Sequence, residues 1–173
     1  DVPVAHGAEE PLCGDLLGVA DFVHGGNGLG DVIHGYPAAR PDPRSAARFL
    51  VDTIMARPGE ITLIPIGPLT NIALALAIEP RIADNVREVV IMGGAATVNG
   101  NVNPAAEANI WNDPYAADRV FGASWRITMV GLDVTEQVVM DETYFEALRE
   151  SRTGSYIYDI ARFYLNFYER STG

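Results

Sequence analysis

Three polar residues near the middle of the chain have side chains suited to binding a neutral sugar. Asn101, Glu107 and Asn109 lie in a Gly- and Asn-containing segment that follows a short apolar run. Two amides and a carboxylate provide the paired hydrogen-bond donors and acceptors that ribose hydroxyls require. The carboxylate of Glu107 would also favour the positive charge that grows on a sugar ring as a glycosidic bond breaks. The same residues are equally typical of a loop in which Asn and Gly form the turns.

Three other places carry weaker chemical signals. Segment 66–71, Ile-Gly-Pro-Leu-Thr-Asn, is typical of a strand end, a tight turn and a helix start. The Gly-rich segment 23–31 lacks the G-x-G-x-x-G spacing of a dinucleotide-binding loop, and a lone histidine there, such as His24, is usually a surface residue. Asp133 directly follows an apolar run, and we favour its interpretation as a turn or cap residue for the next segment.

Strands and helices that alternate along the chain must position these residues. Short β-branched apolar runs predict strands over 61–66, 86–92 and 127–132. Helical periodicity and end signals predict helices over about 45–57, 70–78, 114–121, 141–151 and 155–170. This alternation predicts an α/β fold with an open, mostly parallel sheet flanked by helices, in a single domain over 1–173.

The carboxyl ends of parallel strands lie along one edge of a sheet, which predicts where a ligand would bind. Ile66, Met92 and Asp133 stand at or just past the three predicted strand ends. We therefore expect the following loops to converge on one concave face, with the three polar side chains turned into it and His24 beside them. We expect Glu107 at the mouth of this face, away from the core.

Composition narrows the classes of partner. The chain has 173 residues, 48% of them hydrophobic, which is enough to bury a core. A net charge of −11 without a basic cluster argues against DNA or RNA as a partner. No apolar run reaches the roughly 20 residues that a membrane span needs, so we expect no membrane partner. Cys13 has no second cysteine to pair with, which fits a reducing cytoplasm.

The motifs together resemble those of the inosine-uridine-type, Ca²⁺-dependent nucleoside hydrolases. The positions that carry the resemblance are Ile66-Gly67-Pro68-Leu69-Thr70-Asn71, Met92-Gly93-Gly94, Gly100-Asn101, Pro104, Ala106-Glu107-Ala108-Asn109-Ile110, Asp113-Pro114-Tyr115-Ala116-Ala117, Gly131-Leu132-Asp133, and His24-Gly25 with Gly28-Leu29. The chain departs from the family pattern at Ala108, where Phe is usual, and at Tyr115, where Glu is usual. The first change would enlarge or loosen the wall beside the sugar.

The resemblance implies an enzyme that uses a Ca²⁺-activated water to hydrolyse the N-glycosidic bond of a ribonucleoside, giving free base and ribose. It implies a role in purine or pyrimidine salvage and a homo-oligomer, either a dimer or a tetramer. It also implies that the main-chain carbonyl of Ile66 is one ligand of the Ca²⁺.

The resemblance further implies roles for individual side chains. Glu107 and Asn109 are the catalytic candidates. Asn101 and Glu107 would hold the 5′-hydroxyl end of the ribose, and Asn109 would bind its other hydroxyls. Met92 would line the sugar pocket, and His24 would lie near it.

Two parts of the family pattern do not occur in the chain. One is an Asp-x-Asp-x-Gly-x-Asp-Asp motif whose carboxylates bind Ca²⁺ and supply the general base; the other is a late His-Asp pair. We therefore expect this chain to be the central portion of a larger nucleoside hydrolase domain and to be inactive alone. The alternative is a ribose- or nucleoside-binding module without catalysis.

Overall fold

The structure, a computed structural model, describes residues 2–15, 18, 20–35, 37 and 39–172. The strands are Ala5–His6 (β1), Asp42–Ser45 (β2), Thr62–Leu63 (β3), Glu88–Met92 (β4) and Ile127–Val130 (β5). The helices are Asp21–His24 (α1), Ala46–Ala56 (α2), Thr70–Ile78 (α3), Ile82–Asn85 (α4), Ala108–Asn112 (α5), Pro114–Phe121 (α6), Leu132–Thr135 (α7), Glu142–Leu148 (α8) and Arg152–Thr172 (α9). Within these described ranges, no helix has the length and apolar character to cross a bilayer.

The chain divides into two compact units. The first comprises Asp1–Leu17 and Ala39–Val138, and the second comprises Gly18–Ala38 and Val139–Gly173. The expectation of a single domain over 1–173 stays a prediction.

The sheet of the first unit confirms the predicted parallel α/β class. Its order is β3-β4-β5, and both strand pairs are parallel. β1 and β2 form a separate parallel pair. β3 is shorter than the predicted strand 61–66 because it pairs with β4 over two residues only, and Ile64 beyond it is 68% exposed.

The hydrophobic core lies against one face of β4. Val89 and Ile91 have no exposed surface, whereas the other three residues of the strand are half-buried. They belong to one cluster with Ile54 of α2, Ala73 of α3 and Val120 of α6, which are also fully buried. Helix α3 contacts both α2 and α6. Since each buried aliphatic side chain stabilises the fold by about 1.5–3 kcal/mol, this face anchors the sheet to its helices.

A buried carboxylate connects three segments of the first unit. Asp113 is 1% exposed, and as the N-cap of α6 it accepts a hydrogen bond from Ala116 N–H at 2.9 Å. Its other oxygen accepts from Thr70 Oγ1 at 2.6 Å and from Leu12 N–H at 2.9 Å. The start of α3 is thereby fixed to the start of α6. The Asp113-Pro114 pair is by itself a helix-start signal, but no feature of the sequence indicates the two distant donors.

Replacing Asp113 should therefore destabilise the fold. We expect Asp113→Ala to lower the free energy of unfolding by about 2–4 kcal/mol, because three donors lose a buried acceptor. Urea unfolding followed by circular dichroism measures this loss. Asp118→Ala, an exposed carboxylate on the same helix, is the control and should change stability by less than about 0.5 kcal/mol. Equal losses in both variants would contradict this account of Asp113.

Candidate functional site

The carboxyl ends of the three sheet strands lie on one edge, as predicted. Met92 N–H donates to the carbonyl of Pro65 at 2.9 Å, and Gly93 N–H donates to the carbonyl of Val130 at 3.2 Å. Leu132 N–H donates to the carbonyl of Gly94 at 2.9 Å. The loops that follow β3, β4 and β5 therefore begin side by side.

Glu107 holds the loop after β4 in place through backbone hydrogen bonds. As the N-cap of α5, its carboxylate accepts from Asn109 N–H at 2.9 Å and from Ile110 N–H at 3.2 Å. It also accepts from Gly94 N–H at 2.9 Å, at the other end of the loop. Helix starts leave N–H groups without partners, and this side chain satisfies two of them. One carboxylate thus joins both ends of the segment that contains Asn101.

The expectation that Glu107 lies at an open mouth, away from the core, is wrong. The residue is 2% exposed. Its three backbone donors make this burial possible, because they satisfy the carboxylate; no cationic side chain among the described residues pairs with it. Glu107 still borders a cavity of about 270 Å³, whose lining also includes Ala106, Trp111 and Met129.

The amide of Asn109 is oriented by Met92. Its Nδ2 donates to the carbonyl oxygen of Met92 at 3.1 Å and lies 3.1 Å from the Met92 sulfur. Because the carbonyl can only accept, the nitrogen of Asn109 must face it. Within the described part of the chain, Asn109 Oδ1 has no hydrogen-bond partner. Asn109 therefore offers an acceptor to a ligand.

The amide of Asn101 is oriented in the opposite sense. Its Oδ1 accepts from Ala108 N–H at 2.9 Å, so its oxygen must face the backbone. Nδ2 of this exposed residue has no partner among the residues that the structure describes. Asn101 therefore offers donors, which complement the acceptor of Asn109.

The segment around Asn101 is folded back on itself. Val102 N–H donates to the carbonyl of Ala106 at 3.1 Å, and Asn103 and Ala106 form an antiparallel bridge. A Cβ on Gly100 would lie 2.1 Å from the carbonyl oxygen of Ala106, so only glycine fits there. The position of Asn101 is thus set by backbone contacts on both sides.

Asp133 reaches across to the loop after β4. Its carboxylate accepts from Ala96 N–H at 2.7 Å and Thr97 N–H at 2.6 Å, and also from Thr97 Oγ1. These donors hold the pKa of Asp133 well below its usual range, because they stabilise the charged form. The sequence favoured a local cap or turn; the partner loop was not predicted.

The described residues do not form a calcium site by themselves. Ile66 is 77% exposed after β3, where its carbonyl could serve as one ligand. Ca²⁺ takes six to eight oxygens. Across the described ranges, no group of three or more His, Cys, Asp or Glu side chains could hold a metal ion. The one carbonyl of Ile66 does not make a calcium site.

His24 lies in the second unit, at the end of α1. Its ring stacks on Tyr164 of α9, with centroids 5.8 Å apart and an interplanar angle of 17°. Both rings border a cavity of about 240 Å³. Burial, followed by a hydrogen bond with Tyr168, raises the pKa of Tyr164. The placement of His24 near Asn101, Glu107 and Asn109 stays a prediction.

Comparisons with known proteins agree with this α/β fold. The model of the inosine-uridine preferring nucleoside hydrolase family matches residues 1–173. Uridine nucleosidase 1 of Arabidopsis thaliana is 45% identical over 175 residues, covering 100% of this chain and 52% of the relative. The inosine-uridine preferring nucleoside hydrolase of Leishmania major is 42% identical, covering 98% of this chain and 54% of the relative.

Solved structures show the same likeness. A plant nucleoside hydrolase has a TM-score of 0.92 at 40% identity, covering 99% of this chain and 55% of that structure. The purine-preferring ribonucleoside hydrolase from Gardnerella vaginalis has a TM-score of 0.92 at 36% identity, covering 98% and 55%. The chain belongs to the inosine-uridine preferring nucleoside hydrolase family. It spans about half the length of the curated relatives it matches.

The burial of Glu107 leads to a prediction about stability. Glu107→Ala should lower the free energy of unfolding by about 2–4 kcal/mol, because Gly94, Asn109 and Ile110 lose an acceptor. Glu107→Gln should be intermediate, since its NH₂ group would face N–H donors. The exposed Glu60→Ala is the matched control, measured in the same urea titrations. A Glu107→Ala variant as stable as this control would show that the capping bonds are unimportant.

A second prediction concerns calcium. Residues 1–173 alone should bind Ca²⁺ weakly or not at all, because Ile66 offers one carbonyl where the ion needs six to eight oxygens. Isothermal titration calorimetry measures the affinity, with Mg²⁺ as a reference ion. A micromolar dissociation constant for Ca²⁺ would mean that the ligands lie elsewhere in this chain.

Proposed function

We propose that residues 1–173 contain the sugar-binding part of a ribonucleoside hydrolase. The complete enzyme would have the length of the relatives. The complete protein would cleave the N-glycosidic bond with water and release a free base and ribose. The observation that carries this proposal is the complementary pair of amides, with Asn101 offering donors and Asn109 an acceptor. Both follow a parallel strand at the edge where open α/β sheets bind ligands.

Ribose is the part of the substrate that this pair fits. Each ribose hydroxyl can both donate and accept a hydrogen bond. A site with a fixed donor and a fixed acceptor therefore suits ribose better than a ligand that can only donate or only accept. The relatives differ in the base that their names specify: one is a uridine nucleosidase and another is purine-preferring. They share the ribonucleoside. We therefore assign residues 100–109 to the sugar rather than to the base.

Glu107 would act mainly through position and charge. It fixes the backbone on both sides of the sugar-binding amides, so little reorganisation is needed when the substrate binds. As a buried carboxylate beside the cavity, it would also favour the positive charge that develops on the ribose ring. Met92, which orients Asn109, would line the sugar pocket, and His24 would lie near that pocket.

Calcium is proposed as the cofactor of the complete protein, with the carbonyl of Ile66 as one ligand. When bound, it would supply an activated water for the hydrolysis. Its remaining ligands and the general base would come from segments beyond these residues. The role of this chain is to bind and orient the ribose.

We also propose that the complete protein is a cytoplasmic homo-oligomer, a dimer or a tetramer, with a role in nucleoside salvage. The family relationship supports this assembly, and the single exposed Cys13 fits a reducing compartment. Analytical ultracentrifugation of the complete protein tests the oligomeric state.

The activity is tested by product analysis. The complete protein, incubated with uridine or inosine, should release base and ribose in equal amounts, at a rate independent of phosphate and abolished by a calcium chelator. Chromatography of the base and a reducing-sugar assay measure the two products. Ribonucleoside binding without release of base would favour the alternative of a binding module. If the complete protein neither binds nor cleaves these ribonucleosides, the proposal is overturned.

Individual roles are tested by two matched Asn variants. Asn109→Ala should lower kcat/KM by at least about tenfold, because the acceptor for a ribose hydroxyl is lost. The control is Asn85→Ala, which removes the same type of side chain at the end of α4. Asn85 precedes the amino end of β4, away from the proposed site, so this variant should change kcat/KM by less than about twofold. Equal effects of both variants would contradict a sugar-binding role for Asn109.

A further inference from the structure

The segment after β5 holds the loop after β4 through both backbone and side chain. Leu132 N–H donates to the carbonyl of Gly94 at 2.9 Å. A Cβ on Gly131 would lie 2.7 Å from that same carbonyl oxygen, so the two backbones are in close contact. Asp133 then accepts hydrogen bonds from the next part of the loop, at Ala96 and Thr97.

Asp133 does more than begin its own helix. The N-cap of α7 is Gly131, which has no side chain, while Asp133 lies in the first turn. Its carboxylate bonds to residues 37 and 36 positions earlier in the chain. A residue needed only to start α7 would have no reason to accept three hydrogen bonds from a distant loop.

The loop that Asp133 holds contains the proposed sugar-binding residues. Its first residues are fixed at Gly94 N–H by Glu107 and at Ala96 and Thr97 by Asp133. The chain then continues to Asn101, whose amide offers donors. Glu107 and Asp133 thus hold adjacent positions in one loop, and loss of either would free the segment that leads to Asn101.

We infer that Asp133 is a positioning residue for ribonucleoside binding, acting through the loop 94–101 and not by contact with substrate. This inference rests on the proposed function, since it names a residue that supports the same site. The low pKa of Asp133 agrees with it, because the carboxylate stays charged at neutral pH and its hydrogen bonds are therefore stronger.

The test compares three variants of the complete protein with a control. Asp133→Ala removes the three hydrogen bonds that the Asp133 side chain accepts from the loop, Asp133→Asn keeps one acceptor oxygen, and Thr97→Val removes only the hydroxyl donor. Glu136→Ala, an exposed carboxylate that immediately follows α7, is the control. Hydrogen exchange of peptides covering 94–101 reports the order of the loop. Steady-state kinetics with uridine and inosine report KM and kcat separately.

We expect Asp133→Ala to speed exchange in 94–101 and to raise KM by at least about fivefold, with kcat changed less than about twofold. Asp133→Asn should restore part of both effects, and Thr97→Val should act in the same direction but less strongly. Glu136→Ala should match the unchanged protein. If Asp133→Ala does not fold, Asp133→Asn and Thr97→Val carry the same comparison.

Three results would overturn the inference. One is unchanged exchange in 94–101 in every variant. Another is faster exchange with KM unchanged. The third is a decrease in kcat that matches the fraction of unfolded protein while KM stays unchanged, which is the result that a purely structural role predicts. If the complete protein without any substitution is inactive, the proposed function is overturned instead. The exchange data would still decide whether Asp133 orders the loop.

Discussion

The site depends on one constraint: a buried carboxylate must find hydrogen-bond donors inside the protein. Glu107 meets this requirement with three backbone N–H groups, and in the part of the chain that the structure describes no cationic side chain pairs with it. An ionised group without such partners would cost several kcal/mol of folding free energy, so the backbone must adopt the conformation that supplies them. The loop after β4 and the start of α5 are therefore fixed together, and the positions of the two amides proposed to bind the sugar follow from that arrangement.

Carboxylates fix the strand-end loops at two other points. Asp113 joins the start of α3 to the start of α6, and Asp133 joins the segment after β5 to the loop after β4. Each accepts mainly from backbone N–H groups, which are fixed by the fold and do not lose side-chain freedom on binding. An acidic chain can thus hold the loops of the proposed sugar site without basic side chains.

Much of the fold could be predicted from the sequence because local signals agreed with the packing. Helices Thr70–Ile78 and Pro114–Phe121 have the predicted bounds, since an Ala/Leu-rich run and an Asp-Pro start are local features. The extent of β3 could not be predicted. Ile64 looks like a strand residue, but the strand ends where pairing with β4 ends, and pairing is a property of the neighbour.

The candidate site was only partly predictable for the same reason. The types and spacing of Asn101, Glu107 and Asn109 pointed to a polar ligand, but not to which atoms face it. Burial of Glu107 depends on Gly94, which lies 13 residues away, and the orientation of Asn109 depends on Met92. Helix α5 lies where the sequence predicted loop, because its N–H groups are capped by that same Glu107.

The most direct test of this account is a crystal structure of the complete protein with ribose or a non-hydrolysable ribonucleoside analogue bound. We expect ribose hydroxyls within about 2.7–3.2 Å of Asn101 Nδ2 and Asn109 Oδ1, with the bonds from Glu107 to the backbone retained. A sugar bound away from residues 100–109, with both amides in contact only with solvent, would contradict the account.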